Sequence, residues 1–524
     1  MSEIRQAHRV RWSLLILIIG GGGVLLGVLQ APNLFPDDAH RNLATIAASL
    51  LIGGFLTLWG IFGTGLRRVN QLRIILATVA AVAVAIGCLR VEGFSGNLTP
   101  RIGWAWGAKP DESLAATAPV TRTVDLAETA DLSRTTADDF PQFLGPRRNV
   151  TTETPAFDTD WKTHPPKLIW QRPIGAGWSS FAVVGDYAVT QEQRADDECV
   201  TCYALRTGEP LWLRSDVGRF SHPMSGDGPR STPTIDEGRV YTLGALGRLN
   251  CLDGRSGKLL WTHDVVKECD AVPPEWAKSC SPLVVDDLVV VSAGGSKGKS
   301  LVAYDKESGE MIWHAGDQPS SYASPRLAEL AGTRQILMVN AQAVTAHAPD
   351  DGRVLWEFPW AGGMPKVPDA VPIDGDRVFI SAGYGLGCKL LKIKPSGDDK
   401  LSAALVWEST KLKPKFMNVV VRDGCVYGLD DGRALVCLDL EKGQPRWRGG
   451  RYGHGQILLV NDILLVQAEG GEVALVEASP DRFHELTRFQ ALDGQTWNNP
   501  VVAGRLLLVR NATQAACYEL PTAP

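Results

Sequence analysis

An eleven-residue phrase that occurs three times constrains the fold of this chain more than any other feature. It reads CLDGRSGKLLW at 251–261, AYDKESGEMIW at 303–313 and CLDLEKGQPRW at 437–447. Apolar residues alternate around a turn that ends in glycine, and a tryptophan follows that glycine by four positions. A period of two indicates strands, and glycine supplies the positive φ that closes a tight turn. The phrase therefore predicts a β-hairpin with an indole on its second strand.

The hairpin marks a larger repeat unit. A further pair of strands precedes each hairpin, so the unit has four strands, the number in one propeller blade. Aromatic residues mark the outer strands of successive units at Trp170, Trp212, Trp261, Trp313, Trp356, Trp407, Trp447 and Phe489. The last unit, from Trp497, supplies only three strands. We predict that KLIW at 167–170 supplies the fourth and closes a ring of eight blades, which leaves no exposed sheet edge.

The first ninety residues predict three membrane-spanning helices. The segments 12–29, 43–63 and 74–89 contain no Asp, Glu, Lys or Arg, and each is close to the ~20 residues that a bilayer-spanning helix needs. A cleaved signal peptide is the alternative for the first segment, since arginines precede it, but no A-x-A cleavage site follows. Arginines also lie between the second and third segments, so the positive-inside rule places the amino terminus in the cytoplasm.

These patterns divide the chain into three parts. Residues 1–92 form a three-span region in a bacterial inner membrane, residues 93–139, rich in Ala, Thr, Asp and Pro, form a flexible extracytoplasmic linker, and residues 140–524 form a periplasmic propeller. The predicted fold class is all-β: an eight-bladed propeller of four-stranded antiparallel blades, closed by its amino-terminal strand and preceded by three transmembrane α-helices.

Charge and motifs argue against several function classes. The formal net charge is −5, and no Lys/Arg run longer than two residues follows the membrane spans, so a nucleic-acid partner is not expected. The sequence contains no HExxH and no Ser-His-Asp motif, so metalloprotease and serine hydrolase functions have no support.

Candidate site residues are those that stand outside the repeat. The regular tryptophans are interpreted as packing between blades, whereas Trp178, Trp276 and Trp497 fall outside that register and are candidates for a binding rim. If all inner strands begin at one face, polar residues of the first two blades and the last converge on one mouth; these are Gln193, Arg194, His222, Asp227, Arg230, Asn498 and Asn499.

The two arginines of this set favour a carboxylate, a phosphate or an acidic peptide as ligand. The alternative is that they bond loops and pair with acids inside the fold.

The cysteines leave alternatives open. Cys251 and Cys437 occupy the repeat position of Ala303, which indicates small buried side chains. Cys269 and Cys280 flank one loop and form either a disulfide or free thiols. Cys199 and Cys202 are either small buried side chains or a redox or metal-binding pair. No second pair of cysteines and no histidine at ligand spacing accompany them.

The Gly-x-x-x-Trp hairpins, the eight-fold repetition and the amino-terminal closure resemble the pyrroloquinoline-quinone (PQQ) repeat propellers. Quinoprotein dehydrogenases and the propeller lipoprotein of the outer-membrane assembly machinery share that shape. Within this group, DFPQFLGPRRN at 139–149, TQEQR at 190–194 and GDGPRSTPT at 226–234 resemble the membrane- or periplasm-targeted PQQ-like repeat proteins of planctomycetes. The name of the repeat records shape and not cofactor occupancy.

For an alcohol dehydrogenase the resemblance implies an adjacent Cys-Cys disulfide and calcium ligands around the quinone. The sequence contains no adjacent cysteine pair, and no motif identifies the calcium ligands. We therefore predict a non-catalytic binding or scaffolding platform with protein or peptide partners at its rim, no metal site and no cofactor. The alternative is a membrane-bound dehydrogenase that uses PQQ with Ca²⁺. A sensor that signals through the spans is ranked last.

Overall fold

The computed structural model describes residues 11–31, 34–35, 38–107, 110–115, 130–397 and 400–523. These residues form two compact units, one built on the amino-terminal helices and one that contains the propeller. Each unit is described separately.

The amino-terminal unit contains three long apolar helices, α1 (Trp12–Leu29), α2 (Asp38–Phe62) and α3 (Arg68–Cys88). All three are long and apolar enough to cross a membrane, as predicted. Two of them begin before the predicted spans, because helical hydrogen bonding continues into polar residues beyond the apolar segment. At the start of α2, for example, Arg41 pairs with Asp38 one turn earlier at 3.1 Å.

Residues of the predicted linker region follow α3. A hairpin is formed by β1 (Leu89–Phe94) and β2 (Pro100–Trp104), and a short helix, α4 (Pro110–Ala115), comes next. Residues 108–109 and 116–129 lie outside the described residues, so the flexible linker stays a prediction. From Ala130 onward the chain packs on the propeller, where Ala130 and Leu132 are buried beside the first blade.

The propeller consists of eight antiparallel sheets, or blades, numbered here in chain order. Two strands precede them, β3 (Thr151–Thr152) and β4 (Lys167–Pro173). Blades 1 and 2 contain β5 (Ala182–Val184), β6 (Tyr187–Arg194), β7 (Asp197–Ala204) and β8 (Pro210–Val217), then a small hairpin of β9 (Ser221–His222) and β10 (Gly226–Asp227), then β11 (Thr234–Asp236), β12 (Arg239–Leu243), β13 (Arg248–Asp253) and β14 (Leu259–Asp264). Helix α5 (Val265–Glu268) leads to blades 3 and 4, which contain β15 (Leu283–Val285), β16 (Leu288–Ser292), β17 (Leu301–Asp305), β18 (Met311–Ala315), β19 (Arg326–Leu330), β20 (Thr333–Val339), β21 (Ala343–His347) and β22 (Val354–Pro359).

The second half repeats the same plan. Blades 5 and 6 contain β23 (Val371–Ile373), β24 (Arg377–Ala382), β25 (Gly387–Pro395), β26 (Leu401–Ser409), β27 (Val420–Arg422), β28 (Cys425–Asp430), β29 (Ala434–Asp439) and β30 (Pro445–Gly449). Blades 7 and 8 contain β31 (Gln456–Val460), β32 (Ile463–Gln467), β33 (Glu472–Glu477), β34 (Glu485–Gln490), β35 (Val501–Ala503), β36 (Leu506–Arg510) and β37 (Gln514–Glu519).

The ring closes as predicted. Strand β4 pairs antiparallel with β37 and so becomes the outer strand of blade 8, in a register that runs from Lys167 opposite Glu519 to Pro173 opposite Gln514. The prediction of eight blades closed by the strand at 167–170 is therefore confirmed. One detail was not predicted: the two residues of β3 add a parallel fifth strand to blade 7.

Five of the regular tryptophans dock their blade onto a glycine turn of the next blade. A Cβ atom placed on the glycine of the following blade's last turn would lie only 2.4–2.8 Å from a tryptophan side chain. This contact joins Trp170 to Gly208, Trp212 to Gly257, Trp261 to Gly309, Trp313 to Gly352 and Trp407 to Gly443. The indole N–H also donates to a carbonyl of that turn, as Trp212 does to Gly254 at 3.0 Å. A side chain at this turn would collide with the indole, so the turn requires glycine. In blades 1, 2 and 3 the hairpin therefore carries both a glycine for the tryptophan of the preceding blade and a tryptophan that meets the glycine of the next blade.

On the face of the propeller away from these glycine turns, polar side chains join the blades just before the starts of their inner strands. In five blades, the residue two positions before the inner strand donates its backbone N–H to the side chain at the same position in the next blade. These bonds run from Ser180 to Thr232 (3.1 Å), Thr232 to Ser281 (2.9 Å), Ser281 to Ser324 (3.0 Å), Ser324 to Asp369 (2.7 Å) and Asp369 to Asn418 (2.7 Å). We call these residues the inner ring. They tie six successive blades together around the central channel. In blade 7 the equivalent N–H, that of His454, donates to Glu469 of the same blade.

The segment around DFPQFLGPRRN crosses the central channel. Phe140 exchanges backbone hydrogen bonds with Val183 on the inner strand of blade 1 (2.9 and 2.8 Å), and β3 pairs with the inner strand of blade 7. Between them, Arg148 is 3% exposed and donates to the carbonyls of Ser281 and Pro282. The motif is therefore a plug, and we use that name for residues 139–152.

Replacing Gly257 by alanine tests the docking of one blade on the next. Gly257 and Gly424 have φ values of 69° and 68°, so alanine costs about 1–2 kcal/mol at either position. Only at Gly257 would the new Cβ meet an indole, 2.5 Å from a ring atom of Trp212, whereas nothing lies within 4 Å at Gly424. We expect Gly257→Ala to lower the free energy of unfolding by about 1–3 kcal/mol more than Gly424→Ala. Guanidinium titration of the full-length protein in detergent micelles measures both, and equal losses would contradict the docking role.

Candidate functional site

The residues just before the inner strands surround one mouth of the channel, because the inner ring joins the starts of these strands. Four positions before each inner strand stand Trp178, Arg230, Ser279, Tyr322, Val367, Phe416, Tyr452 and Trp497. Five of these eight residues are aromatic. We call this set the entry ring.

Aromatic side chains of the entry ring contact one another and their neighbours. The ring centroids of Trp178 and Trp497 lie 4.8 Å apart, and those of Trp497 and Phe416 lie 4.7 Å apart. Phe416 in turn lies 5.4 Å from the imidazole of His454. Except for His454, which is buried, these side chains are partly exposed. The result is an aromatic surface formed by Trp178 of blade 1, Trp497 of blade 8 and Phe416 of blade 6.

A second aromatic group lies on the same face. Trp276, in the loop that enters blade 3, stacks on Tyr322 with centroids 5.6 Å apart and lies 6.1 Å from Tyr384 of blade 5. The ammonium of Lys415 lies 4.7 Å from the centroid of Tyr384. Trp178, Trp276 and Trp497, selected from sequence because they left the repeat register, are thus all parts of aromatic clusters at this mouth.

Three of the predicted polar residues are used inside the fold. Gln193 and Asn498 are both 0% exposed, and their amide groups donate to backbone carbonyls, such as that of Ser179 at 2.7 Å from Asn498. Arg194 pairs at 2.9 Å with Glu192, which is also fully buried. These side chains shape the mouth by fixing its loops.

Two further predicted residues lie at the mouth with polar contacts of their own. Asp227 pairs with Arg219 at 2.7 Å and accepts a hydrogen bond from Ser221 at 2.6 Å. The backbone carbonyl of Asn499 accepts a hydrogen bond from the Ser180 hydroxyl at 2.5 Å, which links blade 8 to blade 1.

His222 and Arg230 are partly exposed. His222 lies 3.6 Å from the carboxylate of Glu275. Arg230 donates to the carbonyl of Gly226 at 3.0 Å, and its guanidinium lies 4.5 Å from the centroid of Phe220. Burial lowers the pKa of Arg230 to about 10, so the side chain stays cationic at neutral pH.

Sequence reasoning missed several residues of this face. Tyr322 and Phe416 occupy the same position before their inner strands as Trp178 and Trp497. Alignment of the blades on the inner strand, rather than on the outer-strand tryptophan, is the signal that identifies them. Tyr384, by contrast, lies in a turn of blade 5, and no repeat position marks it.

The residues at the mouth do not fit a calcium-held quinone. Calcium needs 6–8 oxygen ligands, including clustered carboxylates, and among the described residues no three His, Cys, Asp or Glu side chains lie close enough to hold a metal. The carboxylates nearby have other partners: Glu469 accepts the indole N–H of Trp497 at 3.1 Å, and Asp431 pairs with Lys415 at 3.2 Å.

The ten cysteines are free thiols, and all lie in described parts of the chain. Cys269 and Cys280, for which sequence left a disulfide open, are not bonded to each other. Cys199 and Cys202 are 3% and 0% exposed, and burial raises the pKa of Cys199 to about 12. A thiol in that state is a poor nucleophile and a poor metal ligand.

Glu198 gives the propeller a pH dependence that can be measured. Its carboxylate accepts the backbone N–H of Ala245 in the next blade at 3.1 Å, and burial raises its pKa from 4.5 to about 7. The folded state therefore binds more protons than the unfolded state between these values, so stability falls as the pH rises through this window, by about 3 kcal/mol.

We expect Glu198→Gln to remove most of this slope between pH 4.5 and pH 7.5, as measured by urea unfolding at each pH. Glu307→Gln, at an exposed turn of blade 3, is the matched control and should keep the slope. The interpretation fails if both variants retain the wild-type slope.

Comparison with known proteins supports the repeat type. The family model described as outer membrane protein assembly factor BamB matches residues 196–448. Quinohemoprotein alcohol dehydrogenase ADH-IIG of Pseudomonas putida is 24% identical over 262 residues, which cover 47% of this chain and 32% of that protein. Outer membrane protein assembly factor BamB of Moranella endobia is 22% identical over 195 residues, which cover 36% of this chain and 45% of that protein.

The chain spans a third or less of the length of the first quinoprotein relatives that it matches. Among solved structures, quinohemoprotein alcohol dehydrogenase from Comamonas testosteroni aligns with a TM-score of 0.53 at 13% identity, over 79% of this chain and 85% of that one. Likeness at this level concerns the fold alone. The glycine–tryptophan hairpins, the ring of eight blades and these similarities make the propeller similar in repeat type and fold to the PQQ-like propellers, among them BamB and the quinoprotein dehydrogenases.

Proposed function

We propose that this chain is a membrane-anchored propeller that binds a protein partner at its aromatic mouth and acts as a platform, not as an enzyme. The three apolar helices support the anchor. The distribution of arginines around the spans supports a periplasmic propeller in a bacterial inner membrane, with the amino terminus in the cytoplasm. The observation that carries the proposal is the cluster of partly exposed aromatic rings around the mouth.

Aromatic side chains that stay partly exposed suit a protein interface. Trp and Tyr bury a large area at low entropic cost, and they are enriched among the residues that contribute most to binding free energy. Trp178, Trp276, Trp497, Tyr322 and Phe416 come from five different blades. A surface assembled from so many blades is rigid, so a partner that docks there does not have to order it.

The charges near the mouth favour an apolar partner segment. Arg194, Asp227 and Lys415 have ion-pair partners within the propeller, at 2.9, 2.7 and 3.2 Å. Paired charges attract a charged ligand less strongly than free ones do. We therefore infer that the partner inserts large apolar or aromatic side chains between the two aromatic groups.

The similarity to BamB, whose name describes an assembly factor, supports a role in binding other proteins. The similarity to quinoprotein alcohol dehydrogenases supports the alternative, a PQQ-dependent dehydrogenase. The residues at the mouth favour the first, because their carboxylates are dispersed and already have partners.

Photo-crosslinking tests the platform function. A photoreactive phenylalanine in place of Trp276 reports contacts at the mouth, and the same residue in place of Ile312, 49% exposed on the outer strand of blade 3, is the control. In intact cells we expect one discrete crosslinked protein from the mouth and none from the outer strand. Tyr322→Ala, combined with the photoreactive residue at position 276, removes a second ring of the mouth and should reduce the yield more than tenfold, since a residue of this type contributes about 2 kcal/mol or more. Identical products from both positions would contradict the proposal.

Addition of PQQ and Ca²⁺ to the purified full-length protein tests the alternative. We expect no shift in the quinone absorption spectrum and no dye-linked oxidation of alcohols or sugars, because the carboxylates at the mouth are not arranged to hold the ion. Saturable binding with turnover would establish a dehydrogenase and overturn the platform function.

A further inference from the structure

Two charged residues in adjacent blades break the repeat at the channel. The first residues of the eight inner strands are Ala182, Thr234, Leu283, Arg326, Val371, Val420, Gln456 and Val501. Arg326 is the only one with a charged side chain. At the inner-ring position the other seven blades have Ser, Thr, Asn or His, and blade 5 has Asp369. The architecture requires neither charge, since the other blades are built without one.

The carboxylate of Asp369 has two oxygens, and the inner-ring hydrogen bond uses only one of them. Its Oδ1 accepts the N–H of Ser324 at 2.7 Å, the same task that a hydroxyl performs in blades 2, 3 and 4. Its Oδ2 is buried and has no hydrogen-bond partner among the described residues. A buried carboxylate oxygen without a donor is unfavourable. The side chain is only 1% exposed, and burial raises its pKa to about 6.

Arg326 lacks acceptors, just as Asp369 lacks a donor. It is 7% exposed, and the described part of the chain offers it no hydrogen bond and no ion pair within 4.0 Å. A guanidinium carries five N–H donors, and the nitrogens of Arg326 are not among the fully buried unpaired atoms of the described residues. They therefore reach solvent and can donate to an acceptor that enters the channel. Asp369 is near enough to raise the pKa of Arg326, although burial lowers it overall to about 10.

The surroundings of this pair are cationic. Arg148 of the plug is near enough to lower the pKa of both Asp369 and Arg326, so two guanidinium groups and one carboxylate share this region. Arg148 is itself held by the carbonyls of Ser281 and Pro282 at 3.1 and 2.8 Å.

We propose that the channel between blades 4 and 5 binds a small organic acid that carries a hydroxyl or amino group beside its carboxylate. The ligand carboxylate accepts N–H donors of Arg326, and the ligand hydroxyl or amine donates to Oδ2 of Asp369. This occupant satisfies both unpartnered groups at once. The inference goes beyond the proposed function, since it concerns the channel and not the aromatic rings.

Calorimetric titration of the full-length protein in detergent with L-malate, L-aspartate and succinate tests the proposal. Succinate lacks the donor, so we expect malate or aspartate to bind at least tenfold more tightly than succinate. Arg326→Gln should abolish binding of all three. Asp369→Asn, which keeps an oxygen for the Ser324 N–H, should remove the preference over succinate.

Arg334→Gln is the matched control, because Arg334 is an exposed arginine of blade 4 paired with Asp286. It should bind like the wild type. Melting temperatures without ligand separate binding from a structural role: if Arg326 and Asp369 merely form a water-bridged pair, both substitutions lower the melting temperature and no acid binds the wild type. Absence of binding by all three acids, or unchanged binding by Arg326→Gln, overturns the proposal whatever the mouth binds.

Discussion

The propeller depends on one repeated interaction, the hydrogen bond from an inner-ring N–H to a side-chain oxygen of the next blade, which joins blades 1 to 6. Each inner strand is short, β5 and β35 having three residues, so strand pairing alone leaves its start weakly fixed. The bond between Ser180 and Thr232, repeated as far as Asn418, sets the distance between neighbouring strand starts. It therefore sets the width of the channel and the position of the entry ring, two residues earlier in the chain.

The opposite ends of the blades are fixed by different chemistry. There an indole covers a glycine turn of the next blade, as Trp212 covers Gly257, and the contact is apolar except for one N–H bond. The plug crosses the channel between these two belts. The aromatic rings accumulate around the mouth on the inner-ring side. A mouth built from several blades suits the proposed binding of a protein partner.

Much of the fold could be predicted from sequence because its signals repeat. Trp261 and Gly257 recur with their partners in other blades, and the missing strand at 167–170 followed from counting. The site was less accessible. Trp178 and Trp497 were found because they break a pattern, but Tyr384 gives no local signal. For Arg194 the sequence left open a ligand or an ion pair inside the fold, and its partner is Glu192. Such pairings depend on loop paths that join residues distant in sequence, which periodicity does not encode.

Hydrogen–deuterium exchange of the full-length protein in detergent tests the central claim most directly. The amides of Thr232, Ser281, Ser324 and Asp369 precede their strands in loops, yet each donates to the neighbouring blade. We expect these amides, and those of residues 167–173, to exchange as slowly as the central strands of the blades. Exchange as fast as that of exposed turns would contradict a closed ring held at its inner edge.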